Sequence, residues 1–205
     1  MPRGISAEHR AQRAAILATA AEAFAEGGYP STTMASLAER CAVSKSLLYH
    51  YYPSKDAILH DLTASYMRRL RDLVRAVESQ RLPARESLAE LVRRFVSEYE
   101  TSRNHHMVLL NDVRHLPEAL RAEVISLERE VVDAFAGVIG ASYCIDRRAA
   151  KVLTMSVFGM INWTFTWLRP GGPISYPEFA ETVVGMLEGG LNEGAARLKQ
   201  MRKFK

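Results

Sequence analysis

Cysteine is close to absent: Cys41 and Cys144 are the only two in 205 residues. Without a CxxC pair or a His/Cys cluster, neither a disulfide framework nor a zinc site is indicated, and both thiols are expected to pack as small hydrophobes. Long apolar runs are missing as well. No stretch of about 18 uncharged apolar residues occurs, which argues against a spanning helix. Residues Met1-Pro2-Arg3-Gly4-Ile5-Ser6 lead into a charged amphipathic segment rather than an apolar leader. A cytoplasmic protein without a membrane partner is expected. The chain also lacks a GxSxG elbow, a phosphate loop, a dinucleotide glycine motif and a convincing acid pair. No enzyme is expected, and no catalytic residue, cofactor or metal is assigned.

What is present is a chain with 48% hydrophobic residues, enough to bury a real core and too many for disorder. Its length suits a small unit sharing a long helix with a larger body. Lys and Arg number 27 against 23 Asp and Glu, a net charge of +4. The distribution is more informative: residues 86 to 194 are net acidic, Arg68, Arg69, Arg71 and Arg75 form a basic cluster, and Arg197, Lys199, Arg202, Lys203 and Lys205 make a basic tail. That balance allows a polyanion partner without demanding one.

Apolar positions recur at three- and four-residue spacing almost throughout, and nothing alternates at period two, so the fold is expected to be all-α with about nine helices. Ser6 is a candidate cap for a helix presenting Ile16, Leu17, Ala20 and Phe24, which Gly27-Gly28 ends. Thr33 caps a short second helix through Cys41, with Met34, Leu37 and Ala38 inward. Ser44 caps a third, with Val43, Leu47 and Leu48 inward, and Ser54 caps a long fourth. Further helices are expected at about 85–101, 105–115, 117–139 with Pro117 in its first turn, from an Asp146 cap through Leu168, and from Pro177 to Met201. The domain division expected is 1–53 and 54–205, with the fourth helix shared.

Helices two and three are short and separated by about three residues. The third presents Ser44, Lys45, Ser46, Tyr49 and His50 away from its apolar side. In a DNA major groove, hydroxyls and Lys near the helix start reach phosphates, while Tyr and His further along reach base edges or thymine methyls. A plainly solvated face fits the same pattern.

The run from Thr32-Thr33-Met34-Ala35-Ser36-Leu37-Ala38-Glu39-Arg40-Cys41-Ala42-Val43-Ser44 through Lys45-Ser46-Leu47-Leu48-Tyr49-His50-Tyr51-Tyr52-Pro53-Ser54-Lys55-Asp56 resembles the helix-turn-helix signature of TetR-family repressors. The likeness spans some fifty residues, from Phe24 and Gly27-Gly28-Tyr29 onward. It implies a three-helix DNA-binding head, a larger C-terminal ligand and dimerisation domain, and a homodimeric repressor of palindromic operator DNA that a small-molecule effector releases. Thr33, Ser44, Lys45, Ser46, Tyr49 and His50 are then expected near DNA, with Lys55 on a phosphate. Two positions depart from the family pattern. Ala42 stands where Gly is common, and would be mildly strained at positive φ. Tyr52 stands where Phe is usual, and is expected at the edge of the head core so that its hydroxyl finds an outlet.

The C-terminal body offers Tyr66, Met67, Leu70, His106, Leu109, Leu110, Val113, Asn162, Trp163, Trp167 and Arg169 as candidate effector contacts, most of which packing alone would also explain. Asn162 lies in an apolar helix and needs a partner, either a neighbouring helix or a ligand. His105 and His106 point about 100° apart on a helix and find no third metal ligand. The segment Asn162 to Ser175, with Trp163, Trp167 and Arg169-Pro170-Gly171-Gly172, is similar to a segment of TetR-family regulators that sense acyl-CoA thioesters. The resemblance implies an acyl-CoA effector entering beside the fourth helix, with Arg169 near its charged part and Asn162 near a carbonyl. An ordinary turn, with the tryptophans holding a dimer, fits the same residues. A helical DNA-binding protein with no effector remains the alternative function. The dimer is expected through the last two helices, using Leu153, Val157, Met160, Ile161, Val183, Val184, Leu187 and Leu191, with Gly185, Gly189 and Gly190 allowing close approach.

Overall fold

Helix start and stop signals account for most of the architecture. The structure is a computed structural model that describes the backbone from residue 7 to 201 and the side chains from 7 to 190. The expected Ser6 cap, the Leu191 contact and the basic tail therefore lie outside the described side chains. In order come α1 (Ala7–Gly27), α2 (Met34–Arg40), α3 (Lys45–Tyr51), α4 (Lys55–Glu78), α5 (Ala84–Thr101) and α6 (Arg103–Asp112). A 3₁₀ turn (Val113–His115) follows, then α7 (Glu118–Tyr143), α8 (Arg147–Asn162), the four-residue α9 (Thr164–Trp167) and α10 (Tyr176–Met201). The described residues are thus all-α, with nine helices of seven residues or more. None is long and apolar enough to cross a membrane.

The caps are those the sequence signals. Thr33 Oγ1 accepts the Ser36 N–H at 3.1 Å while Ser36 Oγ accepts the Thr33 N–H at 3.0 Å, a reciprocal capping box. Ser44 Oγ accepts from Leu47 N and Ser54 Oγ from Ala57 N, each at 3.1 Å. Asp146 accepts from Arg148 N and Ala149 N. Gly28 closes α1 at φ 80°, its N–H donating to the Phe24 carbonyl at 2.9 Å, and Ala42 does stand in the left-handed region at φ 53°.

Two compact units result. The first comprises Met1–Met67 with Asn104–Ile125, and the second Arg68–Arg103 with Ser126–Lys205, so α4 contributes to both. In the first, α1 packs on α2 and α2 on α3, around Ile16, Ala20, Phe24, Leu37, Leu48, Ile58, Leu59 and Leu62. Tyr52 is buried there rather than at the edge. Burial is tolerated because its hydroxyl donates to Asp61 and accepts from Arg13 Nε at 3.2 Å, with Arg13 closing the triangle onto Asp61 at 2.8 Å. Burial and Asp61 together push the Tyr52 phenol well above its ordinary pKa.

In the second unit α10 packs on α5 and α8, and Phe95, Phe135 and Phe158 form an aromatic centre, with Phe95–Phe135 centroids 4.9 Å apart and Phe135–Phe158 4.8 Å. The helix expected from Asp146 through Leu168 is broken after Asn162. Thr164 Oγ1 donates to the Ile161 carbonyl at 2.9 Å and Trp163 caps at φ −81°, ψ −2°, so a side-chain bond competes with the helical ladder at the break. The last helix has a cap that its Ser175-Tyr176-Pro177-Glu178 run could have announced. Ser175 N–H donates to Glu178 Oε2 at 2.7 Å and Ser175 Oγ accepts the Glu178 N–H at 3.3 Å.

Candidate functional site

In α3 a single side chain, Leu48, is fully buried, and Val43 before it is half-buried. A seven-residue helix pinned at one apolar point leaves the rest of its surface outward, so Ser44, Lys45, Ser46, Tyr49 and His50 are all exposed together, Tyr49 at 51%. Thr33 is exposed one helix earlier, its hydroxyl engaged in the α2 cap. Leu47 departs from the sequence expectation. It is 40% exposed, because it lies about 100° around the helix from Leu48 and shares the face of the polar residues. The inward signal in this helix was Leu48 with Tyr52 four residues on, not the Leu47-Leu48 pair.

Lys55 also differs from expectation. Its ammonium donates to the carbonyls of Tyr29 and Thr32, both at 2.7 Å, and of Pro30 at 3.4 Å, and it lies 4.2 Å from the centroid of the Tyr29 ring. These acceptors occupy the donors that a phosphate would need, so the geometry makes Lys55 a clasp on the α1–α2 loop. Tyr29 is buried at the centre of that loop. Its hydroxyl donates to Asp56, and burial with the Asp56 carboxylate pushes its phenol far above the ordinary value. His115 stacks on Tyr29 with centroids 5.6 Å apart and lies 3.9 Å from the Asp112 carboxylate. Burial raises the Asp112 pKa, opposed by His115 and by the Tyr29 backbone N–H. The loop entering α2 is thus fixed from α4 and from the end of α6 within the same unit. Nothing local in the sequence announces this clasp, since Tyr29, the Lys55-Asp56 pair and His115 lie far apart along the chain.

The candidate effector residues divide between the units. Tyr66, Met67 and His106 are buried in the first, with Tyr66 and His106 rings edge to face at 6.1 Å. Leu109 and Val113 are half-buried there, and Leu110 is exposed. In the second unit Leu70 is buried and Asn162 is half-buried, its Oδ1 accepting from the buried Tyr99 hydroxyl at 2.8 Å. The neighbouring helix therefore supplies a partner for this amide. Nearby, Arg103 donates to the Phe165 carbonyl at 2.6 Å, tying the α8–α9 break to the start of α6. Trp163, Trp167 and Arg169 all face solvent, Trp163 at 63%, because the break after Asn162 turns them off the buried side of α8. A groove of about 210 Å³ along α5 and α10, lined by Arg93, Ser97, Glu100, Tyr176, Pro177, Ala180 and Glu181, contains none of the singled-out residues. Among the described residues, no three His, Cys, Asp or Glu side chains gather into a metal-binding group.

The residues expected at the dimer contact are differently placed. Leu153, Val157, Ile161, Val183, Val184 and Leu187 are buried in their own unit, and Met160 is half-buried. Among the described side chains of these helices, the large apolar ones left outside are Val152, Met155 and Trp163 on one side of α8 and just past its end, and Met186 on α10, at 53% exposure for Met155 and 59% for Met186. Gly159 lies between Met155 and Trp163, and Gly185, Gly189 and Gly190 flank Met186. A Cβ built at any of these glycines meets nothing within 4 Å.

Residues 16–62 match the family of bacterial regulatory proteins called tetR, and residues 81–191 match the tetracyclin repressor-like C-terminal domain. The HTH-type transcriptional repressor KstR2 of Rhodococcus jostii is 24% identical over 185 residues, covering 88% of this chain and 91% of that one. The HTH-type transcriptional activator FasR of Mycolicibacterium smegmatis is 24% identical over 183 residues, covering 88% and 83%. A TetR-family regulator from Bordetella parapertussis superposes with a TM-score of 0.81 at 35% identity, covering 88% of this chain and 96% of the other. AibR, solved with isovaleryl coenzyme A and operator DNA, shares the fold at a TM-score of 0.77 and 23% identity, over 85% and 97%. With one match lying on α1–α4 around the exposed α3 face and the other covering more than half of the sequence, the chain belongs to the TetR family of bacterial transcriptional regulators.

Proposed function

We propose that this regulator is a cytoplasmic repressor that binds a palindromic operator as a homodimer and is released by a small-molecule effector. The observation that carries the reading is the α3 surface. Lys45, Ser46, Tyr49 and His50 stand exposed side by side on a helix whose start is fixed by the Ser44 cap. Two such helices about 34–36 Å apart would enter successive major grooves on one side of a duplex. Lys45 takes phosphates, Tyr49 and His50 take base edges, and Thr33, Ser44 and Ser46 offer hydroxyls to the backbone. Lys55 supports this surface from behind by fixing the loop that precedes α2. The dimer uses the outward apolar side of α8 and α10, where Val152, Met155, Trp163 and Met186 lack cover in one protomer.

The effector class favoured is a CoA thioester, on the Trp163-Trp167-Arg169-Pro170-Gly171-Gly172 resemblance and on the isovaleryl coenzyme A held by AibR. A ligand must favour the non-binding state by about 2.7 kcal/mol to lower DNA affinity a hundredfold. The test is a thermal-shift screen of the full chain with CoA thioesters of graded chain length and with aromatic acids, followed by DNA release with each hit. Stabilisation and release by a thioester support the reading. Response to aromatic acids alone would replace the effector class, and no response from either would favour a regulator without such an effector.

A further inference from the structure

An apolar side chain on the DNA-facing surface is the feature that neither the family nor the polar residues of α3 account for. Leu47 is 40% exposed, while its neighbour Leu48 is completely buried. A lone exposed leucine elsewhere on a protein calls for no explanation. This one stands about 60° around the helix from His50, at the margin of the surface assigned to the groove, and its place there is fixed. The Leu47 N–H donates to Ser44 Oγ at 3.1 Å, which locks the first turn of α3 and the direction in which the side chain leaves it.

An isobutyl group neither donates nor accepts a hydrogen bond, so it has nothing to offer a phosphate, a sugar hydroxyl or the polar edge of a guanine or cytosine. The one apolar group displayed in the major groove is the C5 methyl of thymine. Facing any other base, Leu47 would strip water from polar edge atoms without replacing those hydrogen bonds. We infer that Leu47 is a specificity-determining residue that reads a thymine methyl in each operator half-site. This rests on the DNA-binding reading above and adds to it the base class that one position of the site must contain.

The test starts from the duplex that the full-length protein selects out of a random-sequence library. Each thymine is then replaced in turn, symmetrically in both half-sites, by deoxyuridine, which differs only in lacking the methyl group. Affinities are measured for the wild type and for Leu47→Ala, with urea midpoints checking that the variant, altered at an exposed side chain, keeps its fold. Losing one methyl contact should cost the wild type about fourfold in affinity at one thymine per half-site. Leu47→Ala should bind thymine and uracil equally at that position while keeping any sensitivity elsewhere. A wild type indifferent to every methyl deletion, or a variant with an unchanged thymine-to-uracil ratio at every position, overturns the assignment. Failure to select any preferred sequence would overturn the DNA-binding reading itself, a different result.

Discussion

Ala42 tests how far the turn between α2 and α3 is a matter of backbone geometry. It stands at φ 53° just past the Cys41 cap, with its N–H donating to the Glu39 carbonyl and the Val43 N–H to the Ala38 carbonyl, both at 3.0 Å. This is the paired bonding of a Schellman ending, in which the residue after the cap takes the left-handed conformation. An L residue with a Cβ costs roughly 1–2 kcal/mol there. Glycine removes that strain but gives the unfolded chain extra freedom worth about 0.4–1 kcal/mol. Because Ala42 is exposed, no packing is lost. Ala42→Gly should therefore stabilise the protein by roughly 0.5–1 kcal/mol, read as a higher urea midpoint at constant slope, and Ala42→Val should lower it. A destabilised Ala42→Gly would refute the strain argument, as would an unchanged midpoint in both variants.

Three further outcomes follow from the contacts described. Lys55→Ala should lower stability by about 1–3 kcal/mol, since it removes charged hydrogen bonds to three loop carbonyls, yet leave the salt dependence of DNA binding unchanged. A slope reduced by about one unit would instead make Lys55 a phosphate ligand. Met155→Glu places a charge on the outward side of α8 and should convert the dimer to monomer in sedimentation velocity without unfolding it; a wild type already monomeric at micromolar concentration contradicts the interface. Glu178 is held below the ordinary glutamate pKa because the Ser175 N–H and hydroxyl donate to its carboxylate. A depressed folded pKa contributes stability that is present above the unfolded value and is lost as pH falls through the folded one. Wild type and Glu178→Gln should therefore differ in urea midpoint at neutral pH and converge at acid pH, and a gap that persists in acid would contradict that origin.

The helices were legible because their signals are local. Thr33, Ser44, Ser54 and Asp146 cap the helices that their positions announce, and the glycine-to-alanine departure at residue 42 pointed to the positive φ found there. What was not legible depends on residues distant in sequence. Tyr52 could be buried because Arg13 and Asp61 meet its hydroxyl, and Asn162 found Tyr99, 63 positions away. Periodicity also ranks which side of a helix is apolar without saying which apolar side chains remain outside. On α8 it selected Leu153, Val157 and Ile161, all buried within the unit, and passed over Val152 and Met155, which are not. The same limit turned Leu47 inward on paper and outward in the structure.

The central claim is that the exposed face of α3 reads operator DNA. Its most direct measurement is a binding titration of the Lys45→Ala/Tyr49→Ala double variant against the selected duplex and against a scrambled duplex of the same composition, at two salt concentrations. The account predicts that affinity for the selected duplex collapses towards that for the scrambled one, with a shallower salt dependence from the lost Lys45 phosphate contact. Full-strength binding that still prefers the selected sequence would contradict it.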